Sequence, residues 1–170
     1  MNCREEKNKY KSWSNLKKQL SELLCDSLKE KVSYFYTNYH NVHNVYGRAT
    51  INYDKKELVE FAWVDRYVQE SEEYGEFENL PKEELEAKWM SEGKLSDYDF
   101  IQSATSYLNV DVADALNSKD YLHIIFAYMD RRVGKRTLLK IKDEVKDLPQ
   151  WVQQFYMLRC EADGLTEESK

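Results

Sequence analysis

The apolar positions along this chain change period twice. Trp13, Leu16, Leu20, Leu23, Leu24 and Leu28 recur at three- and four-residue steps, which predicts an amphipathic helix from about Trp13 to Asp26. Ser12 or Ser14 is placed to cap it. The period then falls to two. Val32 to His40 is rich in aromatic and β-branched residues, so a strand is expected. A turn at Asn41 to Asn44 leads to a second strand, Tyr46 to Tyr53, with Ala49, Ile51 and Tyr53 on one face and Arg48, Thr50 and Asn52 on the other. Asp54-Lys55-Lys56 makes a short turn into a third strand, Glu57 to Tyr67, where Val59, Phe61 and Trp63 alternate with Glu60 and Ala62. Short turns between neighbouring strands predict an antiparallel meander.

Residues 69–99 hold eleven acids and three lysines. The first part is expected to be a solvated loop. Pro81 suits the first turn of a helix ending near Gly93. From Ser96 the helical period returns. Ser96 with Asp99 three residues on has the form of a capping box, followed by Phe100, Ile101, Ala104, Tyr107 and Leu108 on one face. A short helix is expected from Val110 to Leu116. Leu122, Ile125, Phe126, Met129 and Val133 form a core stripe that Gly134 interrupts, and Leu138, Ile141 and Val145 resume it. Pro149 opens a last helix with Trp151, Phe155, Leu158 and Ala162, and Gly164-Leu165 has the form of its C-terminal cap.

The pattern predicts an α+β fold: an N-terminal helix on a three-stranded antiparallel sheet, followed by a C-terminal helical bundle. One domain over residues 1–170 is expected, with helix and meander at 12–68, an acidic connection at 69–96 and the helical part at 97–165. The polar, lysine-rich residues 1–11 are expected to fray. Apolar residues on both sheet faces predict that the face away from the first helix is also covered, by the C-terminal helices, a second copy or a partner.

Composition narrows the function. The net charge is -6, which disfavours general attraction to nucleic acid or anionic membrane. No apolar run reaches the roughly 18 residues of a membrane span, and the N-terminus lacks the apolar region of a secretory signal. Cys3, Cys25 and Cys160 are an odd number at unrelated spacings, which points to a reducing cytoplasm and no disulfide framework. Cys25 and Cys160 fit small core positions.

Against that acidic background one segment stands out. Asp130-Arg131-Arg132-Val133-Gly134-Lys135-Arg136 packs four cations around a glycine between two helical patterns. If Gly134 takes positive φ, it ends one helix at Val133 and lets another start at Lys135. Arg131, Arg132, Gly134, Lys135 and Arg136 then form a candidate anion or partner site at a helix N-terminus. The alternative is that these cations pair with the chain's own acids. The segment is not a P-loop: Met129 stands where the first glycine belongs, and Arg136 where the Ser or Thr belongs.

Other candidate chemistry is thinner. His40 and His43 lack a third metal ligand nearby, so a turn explains them and no metal is expected. His123 has no Ser, Cys or Asp tied to it by a known motif, so no catalytic residue and no cofactor are assigned. Tyr34, Phe35, Tyr36, Tyr39 and Tyr46 could stack bases, but only Arg48 interleaves with them.

Gly47-Arg48-Ala49-Thr50-Ile51, the segment Asp130 to Arg136, and Trp151-Val152-Gln153-Gln154-Phe155-Tyr156 together resemble a small bacterial family of uncharacterised cytosolic proteins. The likeness spans Trp13 to Leu165. It implies one bacterial, cytosolic domain and transfers no catalytic residue. The expected function is a non-enzymatic protein-interaction module, an adaptor or immunity-like binder, whose partner is another protein. A phosphate-ligand or nucleic-acid binder acting through residues 131–136 is the alternative. Self-association is compatible with both.

Overall fold

A computed structural model describes residues 13–40, 45–62 and 81–165. The expectations for residues 1–11, for the turn holding His43, for the third strand beyond Ala62 and for the acidic loop at 69–80 lie outside the described residues.

Helix α1 (Trp13–Leu23) buries Leu16 and Leu20, as its stripe requires. Strands β1 (Val32–His40), β2 (Val45–Tyr53) and β3 (Lys56–Ala62) follow as an antiparallel meander in the order β1-β2-β3. Phe35 stands opposite Thr50, which stands opposite Glu60; Tyr36, Ala49 and Phe61 line up on the other face. Asp54 and Lys55 turn β2 into β3, both with positive φ, 46° and 67°. Two such residues give a turn whose twist matches a hairpin, at some backbone cost for side chains other than glycine. Leu58 is an extra residue in β3, because Val59 pairs with Ile51 and Glu57 with Asn52.

The remaining elements are helical: α2 (Lys82–Ser91), α3 (Asp97–Tyr107), α4 (Val112–Leu116), α5 (Tyr121–Met129), α6 (Lys135–Lys140), α7 (Lys142–Val145) and α8 (Gln150–Ala162). The capping box at the start of α3 forms as expected: Asp99 N–H donates to Ser96 Oγ at 3.1 Å and Ser96 N–H to Asp99 Oδ2 at 2.8 Å. At the end of α8, Leu165 N–H reaches the Cys160 carbonyl at 2.7 Å around Gly164, whose φ is +68°. These three bonds close orphan backbone groups that a helix end otherwise leaves to water.

The α+β architecture is therefore an N-terminal helix, a three-stranded antiparallel sheet and a helical part. Its centre is α5, where Leu122 and every residue from Ile124 to Met129 is buried. A helix apolar all round must be enclosed, and α3, α4 and α8 enclose it. One contiguous apolar cluster runs from Leu16 through Ile51 and Phe61 to Phe100, Phe126 and Cys160. Cys25 and Cys160 lie in it as free, buried cysteines.

The helices α1 and α3 pack on the same sheet face, that of Tyr34, Ala49, Ile51 and Phe61. The opposite face departs from the expectation of a second covered apolar surface. Among the described residues it is a polar ladder, where Arg48 pairs with Glu57 at 2.6 Å and with Glu60. Thr50 is buried there beneath longer neighbours and donates to Asn52 Oδ1 at 2.9 Å. Phe35, 41% exposed, is the apolar exception.

Candidate functional site

The basic turn is built on a buried carboxylate. Helix α5 ends at Met129, and Asp130 is already extended at φ −76° and ψ 135°. The cause is a backbone seam with the segment after α1. Cys25 N–H donates to the Met129 carbonyl at 2.9 Å, and Arg131 N–H donates to the Leu23 carbonyl at 2.8 Å. That pairing pulls residues 129–131 out of helical geometry and draws Leu24 and Asp130 into an antiparallel bridge.

Asp130 is 1% exposed. Its carboxylate accepts from the Tyr107 hydroxyl at 2.7 Å, from the Arg132 backbone N–H at 2.7 Å and from Arg132 Nη2 at 2.7 Å. A buried carboxylate is tolerable only when paired and hydrogen-bonded, and both conditions hold here. The Arg132 guanidinium also lies 5.8 Å from the centre of the Tyr107 ring. Burial, and then the hydrogen bond to Asp130, pushes the Tyr107 hydroxyl well above the usual tyrosine range. The hydrogen bond to Asp130 likewise holds the Arg132 guanidinium above its usual value.

From the other side the turn is held by Arg159 of α8, which is 4% exposed. Its Nη1 donates to the carbonyls of Tyr128 and Asp130, each at 3.1 Å, and its Nη2 to that of Val133 at 2.8 Å. A cation at the C-terminal end of α5 answers both the helix dipole and its unpaired carbonyls. Arg159 Nε donates to Asp163 Oδ2 at 2.8 Å, and Ser27 Oγ donates to Asp163 Oδ1 at 2.6 Å. Burial raises the Asp163 carboxyl, but Ser27, Arg159 and Lys135 together bring it below the usual range.

Each residue of the predicted anion site can now be placed. Arg132 is spent on Asp130, and the Lys135 ammonium on the Asp163 backbone carbonyl at 2.7 Å. Arg131 and Arg136 are exposed, and their side chains make no ion pair or hydrogen bond among the described residues. Gly134 corrects the expectation drawn for it. Its φ is −85°, extended and open to any residue, and it precedes α6 without ending a helix at Val133. The helix has already been stopped four residues earlier by the seam with Leu23–Cys25. Because α6 has only six residues, the amide dipole at its start is short.

A second constellation escaped the sequence reading. His123 Nε2 lies 2.8 Å from Ser106 Oγ and 3.6 Å from Asp120 Oδ2, and Ser103 Oγ donates to the same Asp120 oxygen at 2.6 Å. The signal is a Ser-x-x-Ser on α3 facing an Asp-x-x-His on α5, where spacing of three keeps each pair on one helix face. The cluster borders a cleft of about 490 Å³ lined by Met90, Leu95, Ser103, Ser106, Lys119 and Asp120 among others. It is not a catalytic triad. Serine and aspartate approach the same ring nitrogen, whereas a triad needs the acid on the opposite one to fix the tautomer. Asp120 is also committed to capping α5 through the Leu122 N–H at 2.9 Å.

Among the described residues, no group of three or more His, Cys, Asp or Glu side chains is arranged to hold a metal ion, and no helix is long and apolar enough to cross a membrane. Among the described residues, fold and site together define an α+β protein with a buried, ion-paired turn that ties the segment after α1 to α8. The chain belongs to the SF0329 protein family, matching its family model over residues 12–160. Comparison with curated proteins and with solved structures finds no match.

Proposed function

We propose that this chain is a non-enzymatic protein-interaction module of a bacterial cytoplasm, an adaptor or immunity-like binder, and that the turn at residues 131–136 meets carboxylates of a partner protein. The observation that carries this reading is the division of labour within the turn. Arg132 and Lys135 are bound into the fold, while Arg131 and Arg136 stand exposed on a backbone that Asp130 and Arg159 hold rigid. A preorganised surface spends little entropy on binding. Leu139, 54% exposed and three residues after Arg136 in α6, adds apolar area on the same face.

A phosphate or nucleic-acid ligand fits less well. Two of the four cations are engaged, and the net charge of -6 repels polyanions at long range. The test is charge reversal. Arg131→Glu with Arg136→Glu is expected to leave thermal stability unchanged and to abolish capture of one specific protein partner from the native cytoplasm. Capture of the same proteins by both forms sinks the reading. Binding to nucleic acid with a steep salt slope, lost in the variant, supports the alternative instead.

A further inference from the structure

The two outer strands of the sheet are built differently. β3 carries Lys56, Glu57 and Glu60 and is kinked by its extra Leu58. Charge and bulge are the devices by which edge strands refuse another chain. β1 has neither. Its nine residues, Val32–His40, include no Lys, Arg, Asp or Glu and pair with β2 without a register shift. Among the described residues no further strand adds to its outer side. Phe35, near its middle, is 41% exposed.

The sequence of β1 says what that chain is. Ser33-Tyr34-Phe35-Tyr36-Thr37 has the same chemistry in either direction. When two copies run antiparallel about Phe35, Ser33 faces Thr37, Tyr34 faces Tyr36, and Phe35 faces its own copy. Hydroxyl pairs and aromatic pairs are favourable cross-strand neighbours. The charge pattern agrees. Two chains of charge -6 repel, and an uncharged strand is where they can meet without opposing like charges.

We propose that β1 is a self-association edge, through which two copies join their sheets about a two-fold axis centred on Phe35. Such an interface is isologous: each residue of one copy meets its symmetry mate or the mate's partner.

The test uses the full chain. Sedimentation equilibrium is expected to give twice the 20.3 kDa chain mass. Phe35→Lys sets two ammonium groups face to face and is expected to halve that mass, with the melting temperature read in parallel. Should that variant fail to fold, Phe35→Cys provides the second measurement. Mild oxidation is expected to give a covalent dimer from it that the unsubstituted chain does not form. A monomeric unsubstituted chain overturns the proposal. So does a dimer that survives Phe35→Lys, or one that Phe35→Cys fails to cross-link.

Discussion

The carboxylate of Asp97 occupies the space where Gly47 would carry a β-carbon: a Cβ built there stands 1.6 Å from Asp97 Oδ2 and 2.2 Å from Cγ. Asp97, the first residue of α3, is 7% exposed, so it locks the start of that helix against β2. Gly47→Ala must drive the whole carboxylate aside. Overpacking of this kind costs about 1–3 kcal/mol. In a double-mutant cycle read by urea unfolding, Asp97→Ala should relieve most of the extra cost of Gly47→Ala. Strict additivity of the two changes contradicts this account.

Arg159→Met is expected to destabilise the chain by roughly 3–5 kcal/mol, the usual range for breaking a buried charge network from one side. It strands three carbonyls and the half-buried Asp163 carboxylate together. Arg159→Lys keeps the charge but cannot span the carbonyls as a fork, and should fall between. Equal stability of the Lys variant and the unsubstituted chain would mean that only the charge matters.

Arg131 and Arg132 are neighbours with opposite expectations. Arg132→Ala uncovers the 1%-exposed Asp130 and should lower the melting temperature clearly. Arg131→Ala should change stability by no more than about 0.5 kcal/mol, as exposed substitutions do. Thermal unfolding of the two single variants decides the matter, and equal shifts would contradict the division of labour in the turn.

Stability should fall at both ends of the pH scale, for different reasons. Asp163 titrates below its unfolded value, so its contribution is complete above about pH 4 and is lost as pH falls through the lower folded value. Asp163→Asn should flatten that acid limb. Tyr34 and Tyr107 are pushed upward, first by burial and then by Asp130, so their contribution holds below about pH 10 and is lost as pH rises beyond it. Absorbance at 295 nm should show these rings ionising only with unfolding. Urea midpoints across pH that are the same with and without Asp163 would rule out the acid half.

Lys55 sits at φ +67° in the β2–β3 turn, a region costly for any residue with a β-carbon. Lys55→Gly should raise stability by up to about 1 kcal/mol, measurable as a higher urea midpoint at unchanged slope. A lower midpoint would show that glycine's extra freedom in the unfolded chain outweighs the relief.

Local rules were legible in the sequence wherever the deciding partner is close by. Ser96 and Asp99 are three residues apart, and Gly164 and Leu165 adjoin, so both caps could be read directly. The alternation in β2 and in Val59 to Phe61 of β3 shows their faces for the same reason. What escaped reading is decided at long range. Asp130 looks like one more charge in a cluster until Tyr107, Arg159 and the Leu23–Cys25 backbone arrive from distant parts of the chain. Gly134 invites the reading of a helix break because glycine is the residue that usually makes one, whereas hydrogen bonds with Leu23 and Cys25 make it here. His123 found its serine on another helix.

The seam between Leu23–Cys25 and Met129–Arg131 also bears on how the chain acquires its structure in time. During synthesis α1 and the meander emerge first, and the strip of backbone they need appears only after most of the chain has followed. Closing so long a loop makes the seam a late and slow event. A chain severed in the acidic connection should therefore yield not two independent folds but two halves, each competent only in the other's presence, that re-form the native protein when mixed.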